Sequence, residues 1–281
     1  MIFTAYFDES DTHGPTPTLV MAAFLGSARQ WELFRRKIKG MQRNYGFKVF
    51  HAKEFRALRG EFKGWGPEKC AGLINELAVA IRDGLAEGVT IALPHALYQT
   101  EYRGGYVPKG MLLDSQYGVC FRACMVGLLR AVLERGKNHK LHVVIESGHK
   151  NVRDCGRIFN EMKAQIDELG GLTLGTITIA KKSECWPLMI ADFQAHASHL
   201  SETRLKVGLP GYFEMAVKEG GGRPPRGQAA LTQMEHSAAS LRGLKTAWEA
   251  DKQARIERRR QARNIKRAAA LTGTAGADAA T

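Results

Sequence analysis

The chain opens with a short apolar strand that runs directly into two carboxylates. Residues 2–7 are apolar or aromatic apart from Thr4, a composition typical of a strand inside a sheet, and Asp8 and Glu9 follow at once. An unpaired carboxylate at the edge of a hydrophobic core is costly, so such a pair requires a cation or hydrogen-bond donors nearby. The opening therefore predicts a sheet whose edge carries a charged site.

The next two hundred residues contain apolar runs and segments of helical periodicity. The apolar runs predict a strand at 19–25, paired with the first strand as a hairpin, and further strands at 47–50, 89–93, 141–146 and 172–179. The helical spacing predicts helices at 28–44, 68–86, 112–134, 152–169 and 188–200. Strands first, followed by alternating helices and strands, predict an α/β fold with a mixed sheet flanked by helices.

The composition changes after about residue 201. We predict a first domain at 1–205, a Gly/Pro/Arg-containing loop or linker at 206–230 and a basic helical C-terminal extension at 231–270. The last stretch, 271–281, consists of small residues without periodicity, which predicts a disordered tail.

Positive charge is concentrated in the extension. The whole chain has a formal charge of +13 and a pI near 9.7. Residues 242–267 contain ten Lys or Arg against three acids, or +7, which is more than half of the total. Such a surplus favours a polyanionic partner, and the predicted nucleic-acid-binding residues, for RNA or DNA, are Arg255, Arg258, Arg259, Arg260, Arg263, Lys266 and Arg267.

Two alternatives remain open for this extension. Aromatic residues do not interleave with its arginines, so base stacking is not indicated and a solvated basic tail also fits the composition. Leu241, Leu244 and Trp248 form a helical stripe, which leaves open a homodimer or a protein partner through the C-terminal helix.

Cysteine usage and the absence of long apolar runs indicate the cellular compartment of the protein. The five cysteines are irregularly spaced and include no paired metal-ligand motif, which is typical of a reduced protein. No stretch of 18 continuous apolar residues and no basic-then-apolar leader is visible, so we expect a cytoplasmic protein that does not span a membrane.

Two later acids stand in contexts like that of the first pair. Strand alternation puts Tyr6 and Asp8 on one face, with Glu9 facing the other way unless the chain bends there. Glu146 ends a strand, and parallel neighbouring strands end at the same sheet edge, so Asp8 and Glu146 are expected to approach each other. Asp192 is surrounded by apolar residues in the middle of a predicted helix, a poor place for an aspartate.

Three acids next to apolar runs suggest a metal centre for Mg²⁺ or Mn²⁺, which favour carboxylate oxygens. Two such ions about 4 Å apart activate a water and stabilise the leaving oxygen in phosphodiester cleavage. In that scheme Asp8 bridges both ions, while Glu146 and Asp192 each hold one side. Taken singly, each acid also fits a surface residue, a turn or a partner of an arginine.

These segments carry a resemblance to a known family. Residues 6–10, Tyr-Phe-Asp-Glu-Ser, resemble the opening motif of the domain-of-unknown-function 3800 family of prokaryotic and phage proteins, which is assigned to the ribonuclease H-like fold. Residues 50–54 resemble its histidine-containing segment, residues 144–147 the strand that usually carries an aspartate, and residues 188–193 its "LQLADF" helix. The resemblance covers roughly residues 1–200.

The resemblance implies a metal-dependent nuclease with Asp8, Glu146 and Asp192 as ligands and Glu54 or Glu9 as a fourth carboxylate. It also suggests a setting in defence against phage or mobile DNA. Three positions depart from the family pattern. They are Glu146 in place of an aspartate, Met189 in place of a glutamine, and Asp11 where a glycine is frequent.

A histidine and two other functions complete the sequence-based predictions. His51 is a candidate to orient an attacking water or a phosphate, and its alternative is a satisfied histidine at a strand end. The leading function is hydrolysis of nucleic-acid phosphodiesters. The alternatives are a catalytically inactive module that binds nucleic acid or recruits a partner, and a hydrolase of small phosphorylated molecules.

Overall fold

The computed structural model describes residues 1–10, 18–204 and 230–274, and within these it leaves out the side chains at 168, 169, 200–204, 230, 231, 233 and 266–274. The described strands are β1 (Ile2–Ser10), β2 (Thr18–Ser27), β3 (Glu87–Pro94), β4 (His139–Glu146), β5 (Leu172–Ala180) and β6 (Ala230–Glu235). They form one sheet in the order β5-β4-β1-β2-β3-β6.

The sheet is mixed. β1 pairs in parallel with β4, β4 with β5, and β3 with β6, whereas β2 is antiparallel to both β1 and β3. The hairpin of the first two strands and the mixed α/β sheet predicted from the sequence are therefore confirmed. Because β1, β4 and β5 run in the same direction, their carboxyl ends lie at one edge of the sheet.

Helices connect the strands. The described α-helices are α1 (Ala28–Tyr45), α2 (Ala52–Arg56), α3 (Pro67–Gly84), α4 (His95–Leu97), α5 (Gln116–Glu134), α6 (Val152–Leu169), α7 (Leu188–Arg204) and α8 (Ala238–Thr274). A 3₁₀ turn covers Gly60–Phe62 and a π-helix covers Tyr98–Arg103.

Helices cover both faces of the sheet, as alternation along β1 requires. Tyr6 packs edge-on against Trp31 of α1, with ring centroids 4.7 Å apart, whereas its neighbour Phe7 packs against Phe121 of α5 at 5.1 Å. α7 lies across β1 and β2 on the Tyr6 face, where its residues Met189 and Phe193 join the core built by α1 and α3. This crossing brings the middle of α7 to the first strand.

The segment 47–50, predicted as a strand, is a loop between α1 and α2. Its apolar residues serve a different purpose: Phe47 and Phe50 both pack against Phe62 in an aromatic cluster, with centroids 6.1 and 5.6 Å away. The backbone N–H groups of residues 48 and 49 donate to the Glu61 carboxylate instead of to a neighbouring strand. Burial in a loop therefore accounts for an apolar pattern that also fits a strand.

The predicted start of the C-terminal helix is also wrong. Residues 230–235 form the edge strand β6, in register with residues 87–92 of β3. The strand continues into a hydrogen bond from the His236 N–H to the Ala92 carbonyl oxygen, 3.0 Å long. The helix begins only at Ala238. The open edge of β3 offers backbone hydrogen bonds that a sequence pattern does not display.

The chain divides into two compact units. One comprises 1–96 and 114–236, and the other comprises 97–113 and the residues from 237 onwards. In the second unit, Lys245 of α8 donates to the Gly104 carbonyl oxygen at 2.9 Å, and Tyr106 donates to Glu249 at 2.9 Å. The predicted linker at 206–230 and the predicted tail at 271–281 lie almost entirely outside the described residues.

Among the described residues, one helix is long and apolar enough to cross a bilayer by length and composition alone, namely α5. Its side chains Cys120, Phe121, Cys124 and Leu128 are completely buried within the fold, and α5 packs on β2 and β3. α5 is therefore packed as a core helix.

Candidate metal centre

Acidic residues from three elements meet at the carboxyl edge of the sheet. The parallel register of β1 and β4 pairs Phe7 with Ile145, so the next residues, Asp8 and Glu146, lie side by side where the pairing of these two strands ends. α7 crosses this edge and brings Asp192 to the same place. Asp8 and Asp192 are buried, which makes their charges costly unless cations face them.

A lysine ammonium lies between these three carboxylates. Lys182 Nζ is 2.8 Å from Asp8 Oδ2, 3.1 Å from Asp192 Oδ1 and 3.2 Å from Glu146 Oε2. Lys182 is itself buried, with 8% of its surface exposed. The acids that the sequence singled out are therefore brought together, and they share a cation supplied by the protein.

Backbone donors fix the two aspartates. The Glu9 N–H donates to Asp8 Oδ1 at 2.8 Å, and the Ala52 N–H at the start of α2 donates to Asp192 Oδ2 at 2.8 Å. Each aspartate therefore has one oxygen directed at Lys182 and the other held by the main chain. This arrangement sets the direction of both carboxylates before any ligand arrives.

Glu9, the residue after Asp8, also belongs to the acidic group. One oxygen each from Asp8, Glu9 and Glu146 lie within 4.8 Å of one another, which is close enough to hold one metal ion. Glu9 Oε2 is buried, and the Glu9 carboxylate faces the Tyr117 hydroxyl of α5.

The donor set fits a hard divalent cation. Asp8, Glu9, Glu146 and Asp192 together carry a formal charge of −4, and Lys182 reduces it to −3. Carboxylate oxygens are the ligands that Mg²⁺ and Mn²⁺ favour. The excess of negative charge favours an additional cation at this edge.

Burial shifts the pKa values of the site. Burial raises the pKa of Glu9 from 4.5 to about 7, with the Glu146 carboxylate adding to the shift and Lys182 opposing it. The pKa of Asp8 is also raised well above its ordinary value, again chiefly by burial, while Lys182 opposes the shift. The charge on Lys182 is stabilised in turn: burial disfavours it, but the surrounding carboxylates raise its pKa.

A pH dependence of stability follows for the metal-free protein. Because the Glu9 pKa is raised on folding, the folded state retains a proton that the unfolded state loses between pH 4.5 and about 7. We expect the free energy of unfolding, measured in chelator, to fall between pH 5 and pH 8 by about 1–3 kcal/mol more in the wild type than in Glu9→Gln. Urea titrations at the two pH values measure this difference, and equal slopes with pH would contradict it.

Two other predicted site residues do not belong to this group of acids. His51 is half-buried at the N-cap position of α2, one residue before the N–H that binds Asp192. Glu54 is exposed, and its carboxylate lies beside Gly60. Among the described residues, the structure brings Asp8, Glu9, Glu146 and Asp192 together and leaves Glu54 outside this group.

The predicted nucleic-acid-binding residues belong to α8. Residues 255–263 of this helix are all exposed, and Arg255 pairs with Asp251 at 2.8 Å. The side chains of Lys266 and Arg267 are outside the described part of the chain. In the predicted stripe for a protein partner, Leu241 is completely buried within the chain and is therefore not exposed to a partner.

The sequence-based reasoning missed Lys182 and the main-chain donor at Ala52. A signal for Lys182 was present: it comes two residues after the end of β5, and Ala180 pairs with Glu146 across the parallel strands. The same sheet-edge reasoning that grouped Asp8 with Glu146 would have placed it there. The Ala52 contact depends on the path of the 47–51 loop and has no sequence signal.

Comparisons with known proteins give a limited result. No protein-family model matches the chain, and no curated protein matches it significantly. Among solved structures, ribonuclease H2 from Pyrococcus horikoshii OT3 is similar at 15% identity, with a TM-score of 0.39, over 79% of this chain and 90% of that one. A ribonuclease HII from Archaeoglobus fulgidus, solved in complex with PCNA, is similar at 16% identity and a TM-score of 0.36, over 79% and 91%. Similarity of this degree carries no argument about activity, and the α/β description rests on the sheet itself.

Proposed function

We propose that this chain is a metal-dependent nuclease that hydrolyses nucleic-acid phosphodiesters with Mg²⁺ or Mn²⁺. The observation that supports it is the meeting of Asp8, Glu146 and Asp192 from β1, β4 and α7 at one edge of the sheet. Clustered carboxylates at the carboxyl ends of parallel strands are suited to hold a divalent ion against a phosphate. The resemblance of residues 6–10 and 188–193 to the domain-of-unknown-function 3800 family, and the ribonuclease H-like type it implies, agree with this proposal.

Each residue of the site has a proposed role. Asp8, Glu9 and Glu146 offer oxygens to a bound ion, and Asp192 holds Lys182 through an ion pair of 3.1 Å. A bound divalent ion supplies Lewis acidity at the phosphoryl group and a more acidic attacking water. The backbone N–H donors keep the two aspartates oriented, so little reorganisation is needed when substrate binds.

The basic helix α8 provides the proposed nucleic-acid interface. Replacing Arg259, Arg260 and Arg263 together by glutamine should weaken oligonucleotide binding, because fewer phosphates are neutralised and fewer counterions are released on binding. The slope of log affinity against log salt should become shallower by about 0.7–0.9 for each phosphate that the helix no longer neutralises. Fluorescence anisotropy at several salt concentrations measures both effects.

A matched triple variant controls for the removal of three charges. Arg130 near the end of α5 is exposed, as are Lys137 and Lys140 around the beginning of β4, at the opposite end of that strand from Glu146. Changing these three to glutamine should leave affinity and salt slope nearly unchanged. If both triple variants bind equally weakly, α8 is not the interface.

The direct test of the proposal is a cleavage assay. The purified chain is incubated with RNA, single-stranded DNA, duplex DNA and an RNA–DNA hybrid, with Mg²⁺, with Mn²⁺ or with chelator. We expect cleavage of at least one substrate that depends on the divalent ion. Absence of cleavage on all of them, with binding retained, would remove the proposal.

One observation favours a second candidate, a catalytically inactive module that binds nucleic acid or recruits a partner. Lys182 already gives three carboxylates a cation, so the cluster is partly satisfied without a metal. In that case α8 would bind nucleic acid, while the carboxylates and Lys182 at the sheet edge would stabilise the fold. The same cleavage assay separates the two functions.

We also propose a reducing, cytoplasmic setting for the protein. Its five cysteines are all free, and Cys120, Cys124 and Cys155 are buried. Protein in which these thiols remain reduced after purification without reductant would agree with this, and quantification with a thiol reagent under denaturing conditions measures it.

A further inference from the structure

The position of Lys182 divides the acidic cluster into two parts. Its ammonium bridges Asp8 of β1 and Asp192 of α7, at 2.8 and 3.1 Å. A second group of oxygens, close enough together to hold one ion, is formed by Asp8, Glu9 and Glu146. Asp8 and Glu146 belong to both parts, since Lys182 Nζ is also 3.2 Å from Glu146 Oε2.

We propose that Lys182 permanently takes the place of one cation, so that the site binds a single divalent ion held by Asp8, Glu9 and Glu146. The inference rests on the proposed nuclease function and specifies how its site is built. Lys182 acts as a positioning residue: it supplies the second positive charge and holds the carboxylates of Asp8 and Asp192 in place.

The occupancy of the carboxylate oxygens supports this division. Both oxygens of Asp192 already have partners, since Oδ1 faces Lys182 Nζ and Oδ2 accepts the Ala52 N–H. The buried Oε2 end of Glu9, in contrast, faces the neutral Tyr117 hydroxyl. An ion at the Glu9 side meets a carboxylate that faces a neutral hydroxyl, whereas an ion at Asp192 has to displace the Lys182 ammonium or the Ala52 N–H.

The net charge of the group also favours one divalent ion over two. Four carboxylates and Lys182 sum to −3, so one divalent ion brings the group to −1. A second divalent ion between Asp8 and Asp192 would lie where the ammonium lies and would repel it at close range. Two ions therefore require Lys182 to leave, and one ion does not.

Stoichiometry of Mn²⁺ binding tests the inference independently of cleavage. Titration followed by electron paramagnetic resonance of free Mn²⁺, checked by calorimetry, should give one ion per wild-type chain. Lys182→Arg, which keeps the charge, should also give one. Lys182→Met, which removes the charge at similar length, should give two, because the position between Asp8 and Asp192 becomes available.

Two ligand variants locate the ion. Glu9→Gln should weaken Mn²⁺ binding by about tenfold or more, because a charged oxygen ligand is removed, while Asp192→Asn should change it by less than about threefold. These variants keep their backbone donors and shapes. They therefore give a result even if Lys182→Met does not fold in the absence of metal.

The outcomes separate the inference from the proposed function. Two ions on the wild type, or one ion on folded Lys182→Met, overturn the inference and leave a metal-dependent nuclease standing. No Mn²⁺ binding to the wild type or to any variant overturns the metal-dependent function itself, and the inference falls with it.

Discussion

Asp8→Asn should abolish divalent-dependent cleavage, with a loss of at least about a thousandfold in kcat/KM, or roughly 4 kcal/mol of transition-state stabilisation. Asp8 belongs to both parts of the site: it pairs with Lys182 at 2.8 Å and lies in the oxygen group with Glu9 and Glu146. Asparagine keeps the shape and one oxygen but removes the charge. Asp192→Asn should also reduce cleavage strongly, because it loosens Lys182.

The Asp8→Asn variant should remain folded and should still bind nucleic acid. Asp8 is buried with a raised pKa, so neutralising it removes a charge that folding disfavours. Affinity for an oligonucleotide measured in chelator and the thermal midpoint should therefore match the wild type. Asp83→Asn, an exposed acid paired with Arg82 at 2.8 Å, is the matched control and should retain full activity. Cleavage by Asp8→Asn at more than about a tenth of the wild-type rate would contradict a role for this carboxylate.

The sequence patterns of strands and helices predicted the acidic residues of this site that lie on β1, β4 and α7. The apolar run before Asp8, the run before Glu146 and the helical spacing around Asp192 each fixed one element, and the parallel-edge rule then brought Asp8 and Glu146 together. The periodicity of α1, α6 and α7 was equally clear, and these helices begin within a residue of their predicted positions.

The conformation of loops and the pairing of the edge strand could not be predicted from such patterns. The 47–50 segment has the composition of a strand, yet its phenylalanines pack in a cluster under α2. The β6 strand exists because β3 offers an unpaired edge, which depends on residues about 140 positions earlier in the chain. The Ala52 donor and the turn that sends Lys182 back to the acids likewise depend on tertiary packing that no local pattern contains.

The second large effect concerns stability away from the metal centre. Asp114 precedes α5 and is almost completely buried, with 2% of its surface exposed. It accepts hydrogen bonds from Arg122 at 2.7 and 3.1 Å and from Arg157 of α6 at 2.5 Å. Glu161 pairs with both arginines as well, so the network joins α5 to α6.

Asp114→Ala should lower the free energy of unfolding by about 2–4 kcal/mol, because two partly buried guanidinium groups lose their most buried counter-charge. Asp114→Asn should cost less, since it keeps an oxygen acceptor for the same donors. The control Asp83→Ala removes an acid from an exposed pair with Arg82, and such pairs contribute little. Urea denaturation with a common m-value compares the three variants. An Asp114→Ala variant as stable as Asp83→Ala would mean that the network between α5 and α6 adds nothing beyond surface charge pairing.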